Sequence, residues 1–414
     1  MHNGGVEVRH PFLLNQLIGT IMQLSDFNRV DSFNGSLAGL MAQLSAAQVR
    51  KADIVQSTDN MQLRTSTAGY LPHHNDAYKG DRENVSEIII EADKGMPTLV
   101  SALNPVAINQ LATKTGIATR DFRRFQDHYP AELDSLVNAI FRNEPSNRMI
   151  RAYTTDDDNY FLGRAFVSDA FKTFDNYDLL EAALPPLLEN EAADWRTVTA
   201  TVTDQKMYMR FKSSKFEGQG AAVGDAMAAG IVISNSEVGM GSISVAELVW
   251  TLICLNGMQT QNIQRQAHIQ SARGSESYGL LADDTKQKDN EVTALKMRDY
   301  VAAYSSRENF DATLERFRIA AGDVIQGTAQ NAVESLGTVL NLTKAGTSSV
   351  LEGLLQTMGQ AGYAGNPVSR ATLVNAVTAV GNTADPDSVD DWQKLGGKVL
   401  DLPARDWARV AAAA

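Results

Sequence analysis

A run of glycines set among β-branched residues, Gly224 to Val245, constrains this chain more than any other segment. Gly230-Ile231-Val232-Ile233 and Ser242-Ile243-Ser244-Val245 are short strand-forming runs. The Asn235-Ser236-Glu237-Val238-Gly239 stretch between them has turn chemistry, so the whole reads as a β-hairpin. In such a turn Asn235 and Ser236 hydrogen-bond their own backbone while Gly239 and Gly241 supply positive φ. The alternative is a polar loop that positions a partner backbone or a neighbouring subunit, with the glycines allowing close approach. Gly230, Gly239 and Gly241 do not open a helix after a strand at dinucleotide-binding spacing. No Gly-Lys-Ser or Gly-Lys-Thr follows them, so the sequence shows no nucleotide triphosphate site.

With 414 residues, 43% hydrophobic and 21% charged, the chain is long enough for two to three domains of about 150 residues each. Cys254 is the only cysteine, which excludes an intrachain disulfide and fits a reducing compartment. Met1-His2-Asn3-Gly4-Gly5 lacks the basic start of a signal peptide, and no apolar run reaches the roughly 20 residues that span a bilayer, so the expected location is cytoplasmic. A net charge of −12 argues against coating duplex DNA by charge alone; any nucleic-acid site has to be local.

A second hairpin is written more plainly. Arg196 to Thr203 alternates threonine with Val198, Ala200 and Val202, and after Asp204-Gln205 the chain returns through Met207-Tyr208-Met209-Arg210-Phe211-Lys212. Met207, Met209 and Phe211 share the buried face, which puts Tyr208, Arg210 and Lys212 together on the other, with Lys206 and Lys215 nearby. Cations beside a stackable ring suit a sequence-tolerant binder of single strands. The competing reading is a solvated strand whose lysines guard a sheet edge.

Elsewhere, Leu13, Leu14, Leu17, Ile18 and Ile21 recur at helical spacing, and Asp59–Tyr70 and Val85–Ala92 look like strands. Pro105 to Asn143 is helical by pattern. Gly116 provides a turn, and Thr119 caps a second helix bearing Arg120, Arg123 and Arg124, as in a helix-turn-helix; a helix pair packed in a larger domain has the same pattern. Asp156-Asp157-Asp158 reads as a solvated loop, and His73-His74-Asp76 is at most a partial site, because adjacent histidines in a loop seldom suffice, so no metal site is expected. Cys254 lies in an apolar segment where a thiol is usually inert. Paired with His268 it is not expected to catalyse anything.

Ser271 to Asn290 is polar and reads as a linker. From Glu291 helical spacing dominates, including a helix that Ser369 would cap, with Leu373, Ala376, Val377 and Val380 on its apolar side. The expected organisation is an N-terminal helical segment (1–58), an α+β core domain (59–270), a linker (271–290) and a helical C-terminal region (291–414). The fold class is α+β, with a central antiparallel sheet of hairpins flanked by helices.

Asn235, Ser236, Glu237 and Gly239, with Cys254, Asn256, Gly257 and Met258, resemble the Asn-Ser-Glu-x-Gly and Cys-x-Asn-Gly-Met motifs of the phage- and plasmid-borne family of domain of unknown function 932. Weaker echoes lie at Arg164-Ala165-Phe166-Val167-Ser168-Asp169, at Phe174-Asp175-Asn176 and at Asn375-Ala376-Val377-Thr378, so the resemblance covers about Leu99 to Val380. It implies mobile-element DNA metabolism, and is distantly similar to phage single-strand annealing proteins. The function expected on this basis is nonenzymatic binding and annealing of single-stranded DNA by a homo-oligomer, with no cofactor or metal. Lys206, Tyr208, Arg210, Lys212, Lys215, Arg120, Arg123 and Arg124 would contact the strand, and a phage exonuclease or a host single-strand binding protein would be the partner. The alternative is a structural or interaction protein of a phage particle or host-takeover assembly.

Overall fold

The computed structural model describes residues 6–8, 37–67, 84–91, 98–220, 226–251, 256–259, 281–360 and 363–413. Two mixed layers of sheet and helix are built from them, and the α+β expectation holds.

The first sheet has seven strands in the order β1-β2-β6-β7-β5-β4-β3. These are β1 (Val6–Val8), β2 (Lys51–Ser57), β3 (Met61–Ser66), β4 (Val85–Ile90), β5 (Leu99–Leu103), β6 (Asn147–Thr154) and β7 (Tyr160–Ser168). Only the β5–β7 pair is parallel. Between β5 and β6 run α2 (Pro105–Lys114), α3 (Thr119–His128) and α4 (Pro130–Asn143), after α1 (Leu37–Gln48) earlier in the chain. Ala52, Ile54, Ile150, Ala152 and Phe166 on one face of the sheet bury against Leu111, Phe122, Leu133 and Val137 of these helices. Strand alternation therefore sends Lys51, Asp53, Arg151 and Tyr153 to the other face.

Strand β3 is an edge of this sheet, and α4 covers it with side chains that imitate a neighbouring strand. Asn138 Oδ1 accepts from Leu63 N at 2.7 Å while its Nδ2 donates to Leu63 O at 3.0 Å, and Asp134 Oδ2 accepts from Thr65 N at 2.8 Å. The edge's hydrogen-bonding groups are thereby spent inside the molecule.

The second sheet is antiparallel throughout, β12-β11-β10-β9-β8, with β8 (Trp195–Val202), β9 (Met207–Gln219), β10 (Ala226–Asn235), β11 (Ser244–Thr251) and β12 (Asn256–Gln259). Both expected hairpins are present: β8–β9 turns through Thr203 to Lys206, and β10–β11 keeps Ile233 opposite Val245. Gly230 of β10 is where the Trp250 indole crosses the sheet. A Cβ there would lie 2.5 Å from Trp250 Nε1, which donates to Phe211 O at 3.2 Å.

Helices α5 (Asn176–Leu188), α6 (Asp283–Tyr304), α7 (Arg307–Gly322), α8 (Ala329–Val339), α9 (Lys344–Met358), α10 (Arg370–Val380), α11 (Pro386–Leu400) and α12 (Ala404–Ala411) complete the chain. Met207, Met209, Phe211, Ile231 and Ile233 share one core with Leu180, Val301, Phe317, Val374 and Val377. Helix α10 is buried along its length after Arg370. It starts at the expected cap, where Ser369 and Thr372 bond each other's backbone N–H in a capping box.

Several boundaries move. Segment 1–58 was expected to be helical, but it contains strands β1 and β2 beside α1. The C-terminal helices share a core with the second sheet, and the polar stretch expected as a linker is helix from Asp283 onward. Alternation in β8 is broken by a bulge between Thr197 and Thr199, so Val198 is 43% exposed instead of facing inward with Ala200. Leu13 to Ile21, His73, His74, Asp76, Cys254 and His268 lie outside the described residues.

Candidate functional site

The Asn235-Ser236-Glu237 turn plugs the second sheet into the first. Glu237 is buried, and its Oε1 accepts from Lys51 Nζ at 2.6 Å and from Asn176 N, the first turn of α5, at 2.7 Å. Its Oε2 accepts from Arg164 Nη1 at 2.8 Å, and its carbonyl accepts from Arg151 Nη1 at 2.8 Å. A carboxylate on free N–H groups at a helix N-terminus is favoured by both hydrogen bonding and the helix dipole.

The partners of Glu237 are themselves paired. Arg151, 1% exposed, also donates from Nε to Asp53 Oδ1 and from Nη2 to Asp175 Oδ1, each at 2.8 Å. Asp175 precedes α5 and its other oxygen accepts from Gln48 Nε2 at 3.0 Å. Lys51 Nζ additionally donates to Gln48 Oε1 at 2.8 Å. Arg164 is the extra residue of a bulge in β7, where Arg151 pairs with Ala165 and Ala152 with Gly163; its guanidinium lies 4.2 Å from the centre of the Tyr153 ring. Lys51, Arg151 and Arg164 thus balance Asp53, Asp175 and Glu237. Burial alone would raise the Glu237 pKa, but the cations Lys51, Arg164 and Arg151 outweigh it and the repulsion of Asp175, and the carboxyl is held below its usual value.

The rest of the turn is equally committed. Asn235 Nδ2 donates to Phe174 O at 2.9 Å and to Asn176 Oδ1 at 3.0 Å, Ser236 Oγ donates to Gln205 O at 2.5 Å, and Gly239 adopts φ +76°. Gln110 Nε2 of α2 donates to Val238 O at 2.6 Å. Gly241 has no positive φ, contrary to expectation. Asn256 and Gly257 pair with Thr251 and Trp250 in β12, away from the turn in sequence. Segments widely separated in the chain, Arg164, Phe174 to Asn176 and Asn235 to Glu237, therefore meet at one junction.

The expected strand-contacting face of β9 is not open. Tyr208 and Arg210 do share a face, as alternation requires, but α11 lies on it: Tyr208 Oη donates to Asp387 O at 3.2 Å and Arg210 Nε to Gln393 Oε1 at 3.1 Å. Tyr208 is 1% and Arg210 6% exposed, and desolvation lowers the Arg210 pKa against the opposing pull of Asp390. Lys206 and Lys212 are half-buried, and exposed Lys215 donates from Nζ to Glu191 O at 2.7 Å. No stacking platform exists there.

The α2–α3 pair is more accessible. Gly116 turns with φ +71°, but Ala118 and not Thr119 occupies the cap position, with no side-chain cap bond. Arg120 and Arg124 are exposed, and half-buried Arg123 donates from Nη2 to Asn109 Oδ1 of α2 at 2.8 Å. Lys114 at the end of α2 has its pKa lowered by burial and by the charge of Arg148 on β6. None of these five cations has a carboxylate partner among the described residues. Tyr129, 44% exposed, closes α3 with its ring 6.0 Å edge-on from Phe125.

Lys51, Asp53, Arg151, Lys114 and Arg148 were not singled out by sequence. The available signal was a charge inside an otherwise apolar strand, as in Lys51-Ala52-Asp53-Ile54 and Met149-Ile150-Arg151-Ala152. Asp156 to Asp158 form the β6–β7 turn, and no group of three or more metal-ligating side chains occurs among the described residues. No described helix is long and apolar enough to cross a membrane. Compared with known proteins, the chain matches no family model, no curated protein and no solved structure.

Proposed function

We propose that this protein is a nonenzymatic binder of single-stranded DNA that acts as an oligomer to bring complementary strands together in a phage or plasmid recombination system. The strand contact in this reading lies on α2, α3 and the adjoining end of β6, not on β9. One observation carries it: in a chain of net charge −12, Arg120, Arg123 and Arg124 on α3, and Lys114 on α2 with Arg148 close enough to lower its pKa, have no carboxylate partner among the described residues. Cations that no internal acid neutralises are available to phosphates. The exposed Tyr129 ring at the end of α3 supplies a stacking surface for a base, worth roughly 1 to 3 kcal/mol where it is used.

Charge reversal tests the location. R120E/R124E should abolish binding of a fluorescent single-stranded oligonucleotide while leaving the fold intact. Unchanged affinity would remove α3 from the proposal. A chain that binds no strand at all falls to the other reading, an assembly protein of a phage particle or host-takeover complex.

A further inference from the structure

At the junction of the two sheets lies a cavity of about 80 Å³, walled by Asn104 and Pro105 at the start of α2, Asn176 at the start of α5, Arg164, Lys206 and Glu237. A single water needs roughly 10 to 15 Å³, so the space is large enough for a small polyatomic ligand. We propose that it is a binding site for a small oxyanion of the phosphate class.

Many of the hydrogen bonds around the cavity are already made. Glu237 has spent both oxygens, on Lys51, Asn176 N and Arg164. Lys51 has spent its ammonium on Gln48 and Glu237 and lies 3.6 Å from Asp175. Several donors remain unmet. Arg164 Nε and Nη2 are buried with no partner among the described residues. Asn104 Oδ1 already accepts from Ala107 N and Asn176 Oδ1 from Asn235 Nδ2, while the Nδ2 donor of each amide has no partner among the described residues. Lys206 is a half-buried ammonium with no carboxylate partner among the described residues.

A ligand that accepts hydrogen bonds matches these unmet donors. Guanidinium groups pair with phosphate through two parallel N–H bonds, and buried donors left unmet cost about 1 to 3 kcal/mol each. At the junction three cations balance three carboxylates, and at the wall the half-buried Lys206 faces the cavity with Asp204. The other acidic wall residue, Asp204, is exposed to solvent. A metal cation is disfavoured because Lys51 and Arg164 already pair with Glu237 and Lys206 stands at the same wall. The site is independent of the strand-binding reading, since it uses none of the α3 cations.

The test is titration of the full chain, in an oxyanion-free buffer, with inorganic phosphate by calorimetry and phosphorus NMR, with chloride and acetate as controls. Saturable phosphate binding is expected, at least tenfold tighter than acetate. K206Q should weaken it about five- to tenfold. R164K, which keeps a cation for Glu237 but removes the guanidinium donors, should weaken it tenfold or more. Should R164K fail to fold, K206Q decides alone. Absence of saturable binding at millimolar phosphate, equal affinity for acetate, or wild-type affinity in K206Q would overturn the proposal.

Discussion

Lys51 and Glu237 are 186 residues apart in the chain, and their charged atoms are 2.6 Å apart in the fold. The ammonium belongs to a strand of the first sheet and the carboxylate to a turn of the second, so this contact, with Arg151 and Arg164 beside it, registers one layer against the other. Buried pairs of this kind add little net stability over apolar residues of the same shape, but removing one member strands the other.

Truncating either partner is therefore predicted to be costly. K51M and E237Q should each lose about 3 to 5 kcal/mol of unfolding free energy, measured by denaturant titration. The double variant should lose clearly less than the sum of the two. Additive losses would show that the two charges do not act as a pair.

Acid should find the same junction. The Glu237 pKa lies below its ordinary value because Lys51, Arg164 and Arg151 overcome its burial. Its contribution is complete above the unfolded carboxyl pKa of about 4.3 and is lost as pH falls through the lower folded value. Stability of the wild type should drop across that acid window, and E237Q should show a flatter acid limb. Parallel pH profiles for the two would contradict the assignment.

The indole over Gly230 makes a third prediction. G230A places a methyl 2.5 Å from Trp250 Nε1 and 2.9 Å from Phe211 O, so the ring has to move and its bond to Phe211 O is lost. Destabilisation of about 1 to 3 kcal/mol is expected, with a change in tryptophan emission. Emission and stability equal to wild type would refute the crossing.

Position Asn138 tests the sheet edge. N138A removes both bonds to Leu63, and amide exchange at Leu63 should speed up markedly, with a loss of about 1 to 3 kcal/mol. Unaltered exchange at Leu63 would mean that the edge is guarded by something other than this amide.

Arg210 and Arg120 should separate by stability. R210E sets a carboxylate in the buried site beside Asp390 and should cost about 3 kcal/mol or more, while R120E on the exposed face of α3 should stay within about 0.5 kcal/mol. Equal stabilities by thermal denaturation would place Arg210 at the surface after all.

Local patterns carried the sequence reading as far as local physics reaches. Both hairpins, the Ser369 cap, the Gly116 turn and the shared face of Tyr208 and Arg210 follow from alternation, turn chemistry and capping, which involve neighbours in the chain. Alternation says which side chains point together but not what covers them, and α11 reaches Arg210 from 183 residues away. The bulge at Val198 left no mark in an unbroken Thr-Val-Thr-Ala-Thr pattern. Glu237 stood out as a turn and motif residue, but its buried charge pairing did not, because Arg164, Asn176 and Lys51 come to it from 73, 61 and 186 positions away.

The most direct test of the functional account is binding of the purified chain to a fluorescent single-stranded oligonucleotide, with a matched duplex beside it, across a salt series. The account predicts preference for the single strand, with affinity falling steeply as salt rises, by a slope near −0.7 per phosphate contacted. No binding at low salt, or binding indifferent to salt, would contradict it.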